Sequence, residues 1–434
     1  MRLNWFSPLP PERSGIAEFT AVLAPLIRDR AQARFVSQRR HEAGRDGFAG
    51  AEALEELRPA DINRADLNVY NIGNNASFHS EIWRLASEYP GIVILHDFRL
   101  QHLFGGMFLT GRNDREGYLS LMRDAYGREG EAAASLMATG RASPEAVSEL
   151  FPLVEVALRG AAGVVVHSDE AMQDVRVRTG LPVVKLNLPY VDGAAGRNAR
   201  PPGDRTRQEL NLVAFGYIGP NRRIESVLQA LAGIELPIPV TLHLIGELWN
   251  ERLLRERAAD LGLSQVVRLY GHLPDEALDL QLSRADLAVN LRWPSMGEAS
   301  YSQLRAWNHG VPTMVTATGW YAELPGDAVI HISPDREVEE IAAVLRRLAA
   351  DPTPFRDVGR RGRELLAEQY APEAYVEGLL EFAATLAAST QVVQRKLAAR
   401  VCRDLLPYGE ASTDLALDCA ARAMHRFVAQ VTRG

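Results

Sequence analysis

The sequence predicts an α/β protein with two doubly wound domains, each built on a parallel sheet. Short apolar runs alternate with amphipathic helical stretches, as expected when parallel strands are buried on both faces. The alternation occurs in two sets, separated by residues 191–207, which are rich in Gly, Arg and Pro and show no periodicity. A chain of 434 residues is long enough for two such domains.

Each apolar run is the position of a predicted strand. In the first set these are residues 3–6, 34–37, 67–72, 92–95, 164–167 and 183–188. In the second set they are residues 212–215, 240–245, 266–270, 287–291, 313–316 and 329–332. Amphipathic helices, for example residues 224–231 and 251–261, connect the strands.

The two sets define the predicted domain organisation. Residues 1–190 form an N-terminal domain with a mostly helical insert at about 105–160, and residues 208–388 form a second domain after the linker 191–207. Residues 389–434 form a helical tail whose two amphipathic helices pack back on the first domain or make a homodimer contact.

Composition and charge limit the possible partners and compartments. The net charge of −7 argues against nucleic acid as the main partner, because phosphate binding needs a basic face. Both cysteines, Cys402 and Cys419, lie in the tail, which excludes a disulfide scaffold and fits a reducing compartment. The N-terminus lacks the apolar core of a signal peptide, and no segment approaches about 18 consecutive apolar residues. We expect a cytoplasmic protein, with peripheral contact at the inner face of the membrane left open.

Polar and glycine residues follow many of the predicted strands. In open parallel sheets, ligands bind at the carboxyl ends of the strands. In the first set these residues are Ser14, Gly15, Gly73, Asn74, Asn75, His96, Asp97 and Ser168. In the second set they are Gly216, Gly219, Asn221, Arg222, Gly246, Glu247, Gly271, His272, Arg292 and Glu298. The sequence therefore predicts a ligand-binding cleft formed by two such edges.

The most informative stretch is residues 287–315, which has the pattern strand, loop, helix, strand. Ser300 and Gln303 have the spacing of a capping box, so a helix is predicted to begin there. Arg292 and Glu298 lie just before this helix N-terminus, where free N–H groups and the helix dipole favour an anion. Arg292 adds positive charge, and Glu298 can accept hydrogen bonds from hydroxyls. Alternatively, Arg292 and Glu298 simply pair with each other on the loop.

Four segments carry a resemblance to a known family. They are LHDFRLQHL around His96, YNIGNN at 70–75, AFGYIGPNRRIESVLQAL at 214–231 and NLRWPSMGEASYSQLRAWNHGVP at 290–312. Through them, residues 1–388 resemble glycosyltransferase family 4, whose members have the GT-B fold of two Rossmann-like domains. The resemblance implies a retaining glycosyltransferase that uses a UDP-, GDP- or dTDP-sugar. The acceptor would be a glycan, a lipid-linked or another molecule, in bacterial surface polysaccharide or glycoconjugate synthesis.

The resemblance also implies roles for individual residues. Glu298 and His96 are the expected catalytic residues: Glu298 matches the first glutamate of the family's two-glutamate motif, which holds the donor sugar's hydroxyls, and His96 matches a histidine facing that sugar. Donor binding is expected from Glu298 and from Gly15, Arg222, Arg292, Ala299, Ser300, Tyr301, Gly246, His272 and Arg305. The acceptor side is expected to include Asp97, Asn74 and Asn75.

Three positions depart from the family pattern. Arg305 occupies the place of the second glutamate, which usually binds the ribose, and Tyr217 stands where an arginine is usual. Arg222 replaces the usual lysine, and either Arg292 or Arg305 can supply the missing charge.

The sequence predicts neither a cofactor nor a metal ion besides the nucleotide sugar. It contains no Asp-x-Asp pair to bridge a metal, so Arg222, Arg292 and the helix end are expected to stabilise the leaving diphosphate. Two other classes of function remain as alternatives. One is a non-catalytic GT-B protein that binds a nucleotide sugar or acts as a scaffold, and the other is a sugar-nucleotide epimerase of the same architecture.

Overall fold

The structure, a computed structural model, describes residues 1–12, 14–38, 48, 50–191 and 209–389. The chain divides into two compact units. Among the described residues, unit 1 contains those of Met1–Leu186 and 372–389, and unit 2 contains those of Asn187–Ala371. The predicted linker, beyond residue 191, and the predicted helical tail, beyond residue 389, lie outside the described residues.

Unit 1 contains a parallel sheet with the strand order β3-β2-β1-β4-β5-β6-β7. The strands are β1 (Arg2–Phe6), β2 (Gln32–Ser37), β3 (Glu52–Ala53), β4 (Leu67–Ile72), β5 (Ile92–Leu95), β6 (Gly163–Val166) and β7 (Val183–Lys185). All predicted strands of this set are present. The sequence did not predict β3, because two residues at a sheet edge are too short to give an apolar pattern.

The helices of unit 1 connect these strands and form the insert. They are α1 (Gly15–Arg30), α2 (Pro59–Asn63), α3 (Ala76–Glu88), α4 (Gln101–Gly105), a π-helical segment (Gly106–Gly111), α5 (Arg115–Ala138), α6 (Pro144–Leu150), α7 (Val154–Ala157) and α8 (Asp169–Thr179). α5 is interrupted at Gly127, where φ is 67°. Between residues 105 and 160 the chain is therefore mostly helical, as predicted.

Unit 2 contains a second parallel sheet, with the strand order β10-β9-β8-β11-β12-β13. Its strands are β8 (Leu210–Phe215), β9 (Val240–Ile245), β10 (Val267–Gly271), β11 (Leu287–Asn290), β12 (Thr313–Thr316) and β13 (Ile330–Ile332). Its helices are α9 (Ile224–Ala232), α10 (Glu251–Asp260), α11 (Asp275–Leu282), α12 (Tyr301–Asn308), α13 (Gly319–Ala322), α14 (Glu337–Ala350) and α15 (Thr353–Gln369). Both predicted helices, 224–231 and 251–261, correspond to α9 and α10.

The last described helix, α16 (Pro372–Ala387), belongs to unit 1. Tyr375 packs edge-to-face on Phe19 of α1 with ring centroids 5.4 Å apart, and the Leu386 side chain lies against Gly163 of β6. The sequence analysis placed the end of the second domain at residue 388, whereas the chain returns to unit 1 at Pro372. An apolar helix face shows that a helix is packed but not which sheet it covers.

Polar residues at several strand ends cap the helices that follow. Ser14 caps α1, Asn75 caps α3 and Ser168 caps α8, each by accepting a backbone N–H with its side chain. Such caps satisfy N–H groups that have no partner within the helix. Within the described residues, no helix combines the length and apolarity needed to cross a membrane.

Candidate functional site

A buried guanidinium lies at the carboxyl end of β8. Arg222 ends the 3₁₀ turn Pro220–Arg222 and is 2% exposed. Its Nη1 donates to Oδ1 of Asn290 at 2.7 Å, and its Nη2 donates to the carbonyl oxygen of Phe215 at 2.6 Å. Both acceptors are neutral, so these bonds hold the side chain in place without cancelling its charge.

The charge of Arg222 interacts with the loop that follows β11. Burial and, to a smaller extent, the charge of Arg292 lower the pKa of Arg222, whereas Tyr321 and Glu298 raise it; together they place the pKa at about 9. A pKa of about 9 leaves the guanidinium charged at neutral pH. Arg222 is thus brought together with Arg292 and Glu298, which follow it by 70 or more residues in sequence, and the three side chains carry one surplus positive charge.

Asn290 connects Arg222 to the N-terminus of α12. It is the last residue of β11 and is 3% exposed. Its Nδ2 donates to Oγ of Ser300 at 3.2 Å and to Oε1 of Gln303 at 3.1 Å. Ser300 caps α12 by accepting the N–H of Gln303 at 3.1 Å. Because Asn290 accepts from the guanidinium and donates to the helix cap, it fixes Arg222 relative to α12.

The predicted capping box is half formed. Ser300 caps the helix as expected, but the Gln303 side chain accepts from Asn290 instead of returning to the backbone of Ser300. Gln303 is fully buried, and its Nε2 has no hydrogen-bond partner. A buried unpaired donor costs about 1–3 kcal/mol. The Gln303 side chain is thus part of the hydrogen-bond network of Asn290 rather than of the cap of α12.

Glu298 and Arg292 form an ion pair on the loop between β11 and α12. Oε1 of Glu298 lies 3.0 Å from Nε of Arg292, and the two side chains are 18% and 17% exposed. Oε2 of Glu298 accepts the N–H of Met296 at 2.8 Å and the hydroxyl of Ser295 at 3.2 Å. Nε of Arg292 also lies 3.3 Å from the Tyr321 hydroxyl. The pairing considered in the sequence analysis is therefore present, and it fixes the Glu298 carboxylate at the end of the sheet.

The remaining predicted donor-side residues lie in different environments, each within its own unit. Ala299 precedes the helix cap and is partly buried, and Tyr301 opens α12 with its ring 5.1 Å from that of Tyr190. His272 is exposed directly after β10. Gly15, in unit 1, opens α1 and has open space around its Cα.

The backbone at position 246 requires glycine for a structural reason. Its φ is 124°, and a Cβ at this position would overlap the carbonyl oxygen of Gly216. The two backbones approach closely because β8 and β9 end side by side. We expect Gly246→Ala to lower the free energy of unfolding by about 1–3 kcal/mol, since it adds both strain and a clash.

Chemical denaturation monitored by circular dichroism measures this change. Gly262→Ala is the matched control, because Gly262 also has a positive φ of 73° but has open space around its Cα. A Gly246→Ala variant no less stable than Gly262→Ala would contradict the close approach.

Arg305 does not supply charge to the Arg222 network. Its Nε and Nη2 donate to Oδ1 of Asp279 at 3.0 and 2.7 Å, and its Nη1 donates to Oδ1 of Asp275 at 2.8 Å. Nε2 of His309 lies 3.0 Å from the same Asp279 oxygen. Two aspartates of α11 thus offset the Arg305 charge. Of the two candidates for the missing family arginine, Arg292 is the one beside Arg222.

In unit 1, His96 is buried at the end of β5. Its Nε2 lies 3.0 Å from Oδ1 of Asn71, and its ring packs edge-to-face on Phe19 at 4.8 Å. Asn71 Nδ2 donates to the carbonyl oxygen of Phe6, so its Oδ1 is the acceptor and His96 carries its proton on Nε2. Burial holds the pKa of His96 well below its usual range, and His167 and His79 lower it further. His96 is therefore neutral.

The predicted acceptor-side residues make hydrogen bonds that hold the loop after β4 in place. Oδ2 of Asp97 accepts the N–H of Asn74 at 2.7 Å, and Oδ1 of Asn74 accepts the N–H of Leu103 at 3.0 Å. Asn75 caps α3 by accepting the N–H of Ser77 at 2.9 Å. Asp97, Asn74 and Asn75 thus shape this loop, and the residue bonded to the His96 ring is Asn71.

The sequence analysis did not single out two important residues, Asn71 and Asn290. Each is an asparagine near the carboxyl end of a buried strand. A buried polar side chain needs a hydrogen-bond partner, so an asparagine at such a position was the available signal. Among the described residues, no group of three or more His, Cys, Asp and Glu side chains could hold a metal ion.

Comparisons with known proteins agree with this architecture. Residues 200–365 match the model of a family described as Glycosyl transferases group 1. Over 205 residues the chain is 27% identical to the MMP alpha-(1->4)-mannosyltransferase of Mycolicibacterium hassiacum, and the match covers 46% of each chain. The match thus spans about half the length of this curated relative. The family match contains Arg222, Arg292 and Glu298.

Solved structures match nearly the whole chain. HepE from Anabaena, solved in complex with UDP-glucose, has a TM-score of 0.58 and 13% identity, with 89% of this chain and 100% of that chain covered. Sucrose-phosphate synthase from Thermosynechococcus elongatus has a TM-score of 0.58 and 16% identity, with 90% and 100% covered. The fold is GT-B. In this GT-B chain, unit 2 holds the Arg222 network and unit 1 holds His96.

Proposed function

We propose that the protein is a glycosyltransferase that transfers a sugar from a nucleoside-diphosphate sugar to a glycan, a lipid-linked or another acceptor in bacterial polysaccharide or glycoconjugate synthesis. The observation that carries the proposal is the buried Arg222, whose guanidinium is bound by neutral acceptors and therefore keeps its positive charge. The match to Glycosyl transferases group 1 includes the same residues and supports the proposal. A mannosyltransferase relative and a UDP-glucose complex of a similar structure support a nucleotide-sugar donor.

The network supplies what departure of a nucleoside diphosphate requires. The leaving group gains negative charge, which fixed donors in a buried site stabilise more strongly than water does. Arg222 brings a guanidinium that is already desolvated, and α12 adds the N–H groups and positive end of its dipole. Asn290 holds Arg222 and the N-terminus of α12 in fixed positions relative to each other, so little reorganisation is needed when the donor binds.

Glu298 is the proposed contact to the donor sugar. Ser295, Met296 and Arg292 fix its carboxylate, which can accept hydrogen bonds from sugar hydroxyls and stabilise a developing oxocarbenium ion. His96 remains the proposed sugar contact of unit 1; as a neutral imidazole it offers hydrogen bonds without adding charge. The reaction is proposed to retain the anomeric configuration, in keeping with the resemblance to family 4.

The test is incubation of purified protein with a panel of UDP-, GDP- and dTDP-sugars. Release of nucleoside diphosphate, by transfer or by hydrolysis, is expected for one of them, and NMR of the product gives the anomeric configuration. Absence of turnover together with absence of any thermal stabilisation by the whole panel would overturn the proposal.

Turnover is also expected to be insensitive to metal chelation. Because Arg222, Arg292 and α12 are proposed to neutralise the leaving diphosphate, EDTA should leave the rate unchanged, and added Mg²⁺ or Mn²⁺ should not raise it. Rates measured after dialysis against EDTA check this. A rate that disappears with EDTA and returns with Mn²⁺ would contradict the proposed neutralisation.

One observation favours a non-catalytic nucleotide-sugar-binding protein as a second candidate. Arg305 stands in place of the family's second glutamate and is bound to two aspartates of α11. A carboxylate for the ribose is therefore missing at this position. Tight binding of a nucleotide sugar without turnover for any acceptor would favour this second function.

A further inference from the structure

A buried asparagine determines which nitrogen of the His96 ring carries a proton. Asn71 is the next-to-last residue of β4 and is fully buried. Its Nδ2 donates to the carbonyl oxygen of Phe6, the last residue of β1, at 3.1 Å. Because the amide donates toward β1, its Oδ1 is an acceptor, and it lies 3.0 Å from Nε2 of His96, which follows β5. Three neighbouring strands thus place the His96 proton on Nε2.

The two other buried histidines of this region have the opposite tautomer. Nδ1 of His79 lies 3.0 Å from the carbonyl oxygen of Asn71, and Nδ1 of His167 lies 2.9 Å from that of Leu186. A carbonyl oxygen only accepts, so both histidines carry their proton on Nδ1. They are 1% and 5% exposed, whereas His96 is 9% exposed. Of these three histidines, His96 is the one whose acceptor nitrogen is Nδ1.

The Nδ1 atom of His96 has no hydrogen-bond partner among the described residues. The ring packs edge-to-face on Phe19 at 4.8 Å and lies 5.4 Å from the ring of His167. Burial and, to a smaller extent, His167 and His79 hold the pKa of His96 well below its usual range, so Nδ1 keeps its lone pair at neutral pH. Since Nε2 is already bound to Asn71, the interaction left to this ring in its own plane is to accept a hydrogen bond at Nδ1.

We propose that Asn71 is a positioning residue that makes His96 a hydrogen-bond acceptor for one hydroxyl of the sugar, an inference that rests on the proposed function. A hydroxyl donates to Nδ1, whereas a hydrogen, a fluorine or an ether oxygen in its place does not. An acceptor at a largely buried site loses its hydrogen bond when the hydroxyl is absent. Through His96, Asn71 thus selects a sugar that has a free hydroxyl at one position.

Deoxy and fluoro analogues of the preferred nucleotide sugar test the direction of this hydrogen bond. Fluorine does not donate, so at the hydroxyl that contacts His96 both analogues should bind wild type about tenfold more weakly than the natural sugar, as measured by calorimetry. In Asn71→Leu, which removes the bond to Nε2, this loss should shrink because His96 can then take the other tautomer. Equal discrimination by wild type and Asn71→Leu at every hydroxyl would overturn the proposal.

Asn71→Asp tests the His96 tautomer through the pH dependence of transfer. The aspartate keeps an acceptor for Nε2–H and adds a negative charge, which stabilises the imidazolium and raises the pKa of His96. Protonated His96 cannot accept at Nδ1, so kcat/KM should lie about tenfold below wild type at a pH of about 6 and recover as the pH rises. His79, His167 and Asp97, the titratable groups beside His96, are the same in wild type and variant, and the pKa values of His79 and His167 are about 4.

Asn68→Asp is the matched control for Asn71→Asp. Asn68 lies on the same strand and is 6% exposed, but its Oδ1 accepts from the side chain of Asn4 at 2.9 Å instead of from a histidine. This control should keep the wild-type pH profile. The same profile for Asn71→Asp and Asn68→Asp would contradict the proposed role of Asn71.

NMR of the imidazole nitrogens in the wild-type protein tests the proposal without any variant. His96 should be protonated on Nε2, and its Nδ1 resonance should move in the direction of an accepted hydrogen bond when the preferred nucleotide sugar binds. A wild-type His96 that is protonated on Nδ1 would overturn the inference. Failure of the proposed function appears differently, as wild type that has the expected His96 tautomer but neither binds nor turns over a nucleotide sugar.

Discussion

Replacing Arg222 by Met is expected to lower kcat/KM for sugar transfer by about 10²–10³-fold, equivalent to about 3–4 kcal/mol of transition-state stabilisation. The guanidinium is buried, charged and bound only by neutral groups at Asn290 and Phe215. Methionine fills a similar volume but offers no charge to the leaving diphosphate. Steady-state kinetics with the preferred nucleotide sugar measure the loss.

Asn290→Asp tests the charge of Arg222 more specifically than Arg222→Met does. It keeps Arg222 in place and keeps the shape of the side chain at position 290, but it puts a carboxylate against Nη1. The charge that the diphosphate would neutralise is then already neutralised within the protein, so nucleotide affinity should fall by about tenfold or more. The substitution also removes the donor bonds of Nδ2 to Ser300 and Gln303, so binding is measured well below the melting temperature of the variant. Unchanged nucleotide binding by Asn290→Asp would contradict a diphosphate role for Arg222.

Replacing Glu298 by Gln is expected to reduce kcat by about 10²-fold or more while the protein remains folded. The amide keeps the size of the side chain, and its oxygen can still accept the N–H of Met296. It lacks the charge that would stabilise an oxocarbenium ion, and it leaves Arg292 without its ion pair. Single-turnover kinetics separate this loss of chemistry from a change in donor affinity.

Glu323→Gln is a suitable control for Glu298→Gln. Glu323 is an exposed glutamate of unit 2 that follows α13, outside the loop between β11 and α12. This control should retain full turnover. Glu298→Gln with wild-type kcat would remove Glu298 from the reaction, and the Arg292–Glu298 pair would then be only structural.

The strands could be predicted from the sequence because parallel strands buried on both faces are continuous apolar runs. Residues 92–95, with the sequence IVIL, are such a run, and β5 has the same bounds. The helix at Ser300 was also predictable, since the residue that caps it is local. The sequence likewise identified the cluster of Arg222, Arg292 and Glu298, because residues that follow parallel strands meet at one edge of a sheet.

What could not be predicted depends on contacts between residues distant in sequence. Arg305 was a candidate cation until α11 placed Asp275 and Asp279 against it. The same reason applies to Asn71, whose amide holds the His96 ring, and to α16, which packs on unit 1 rather than on the sheet that precedes it. Periodicity reports that a side chain is buried, but it does not report what that side chain touches.

The affinity for a nucleoside diphosphate relative to its nucleoside tests the central claim most directly, namely that the unneutralised Arg222 guanidinium binds the diphosphate. Calorimetry with UDP and uridine, or with GDP and guanosine, should show that wild type binds the diphosphate more tightly, and that Arg222→Met and Asn290→Asp lose most of this difference. If both variants retain the wild-type preference for the diphosphate, another group binds it and the account is wrong.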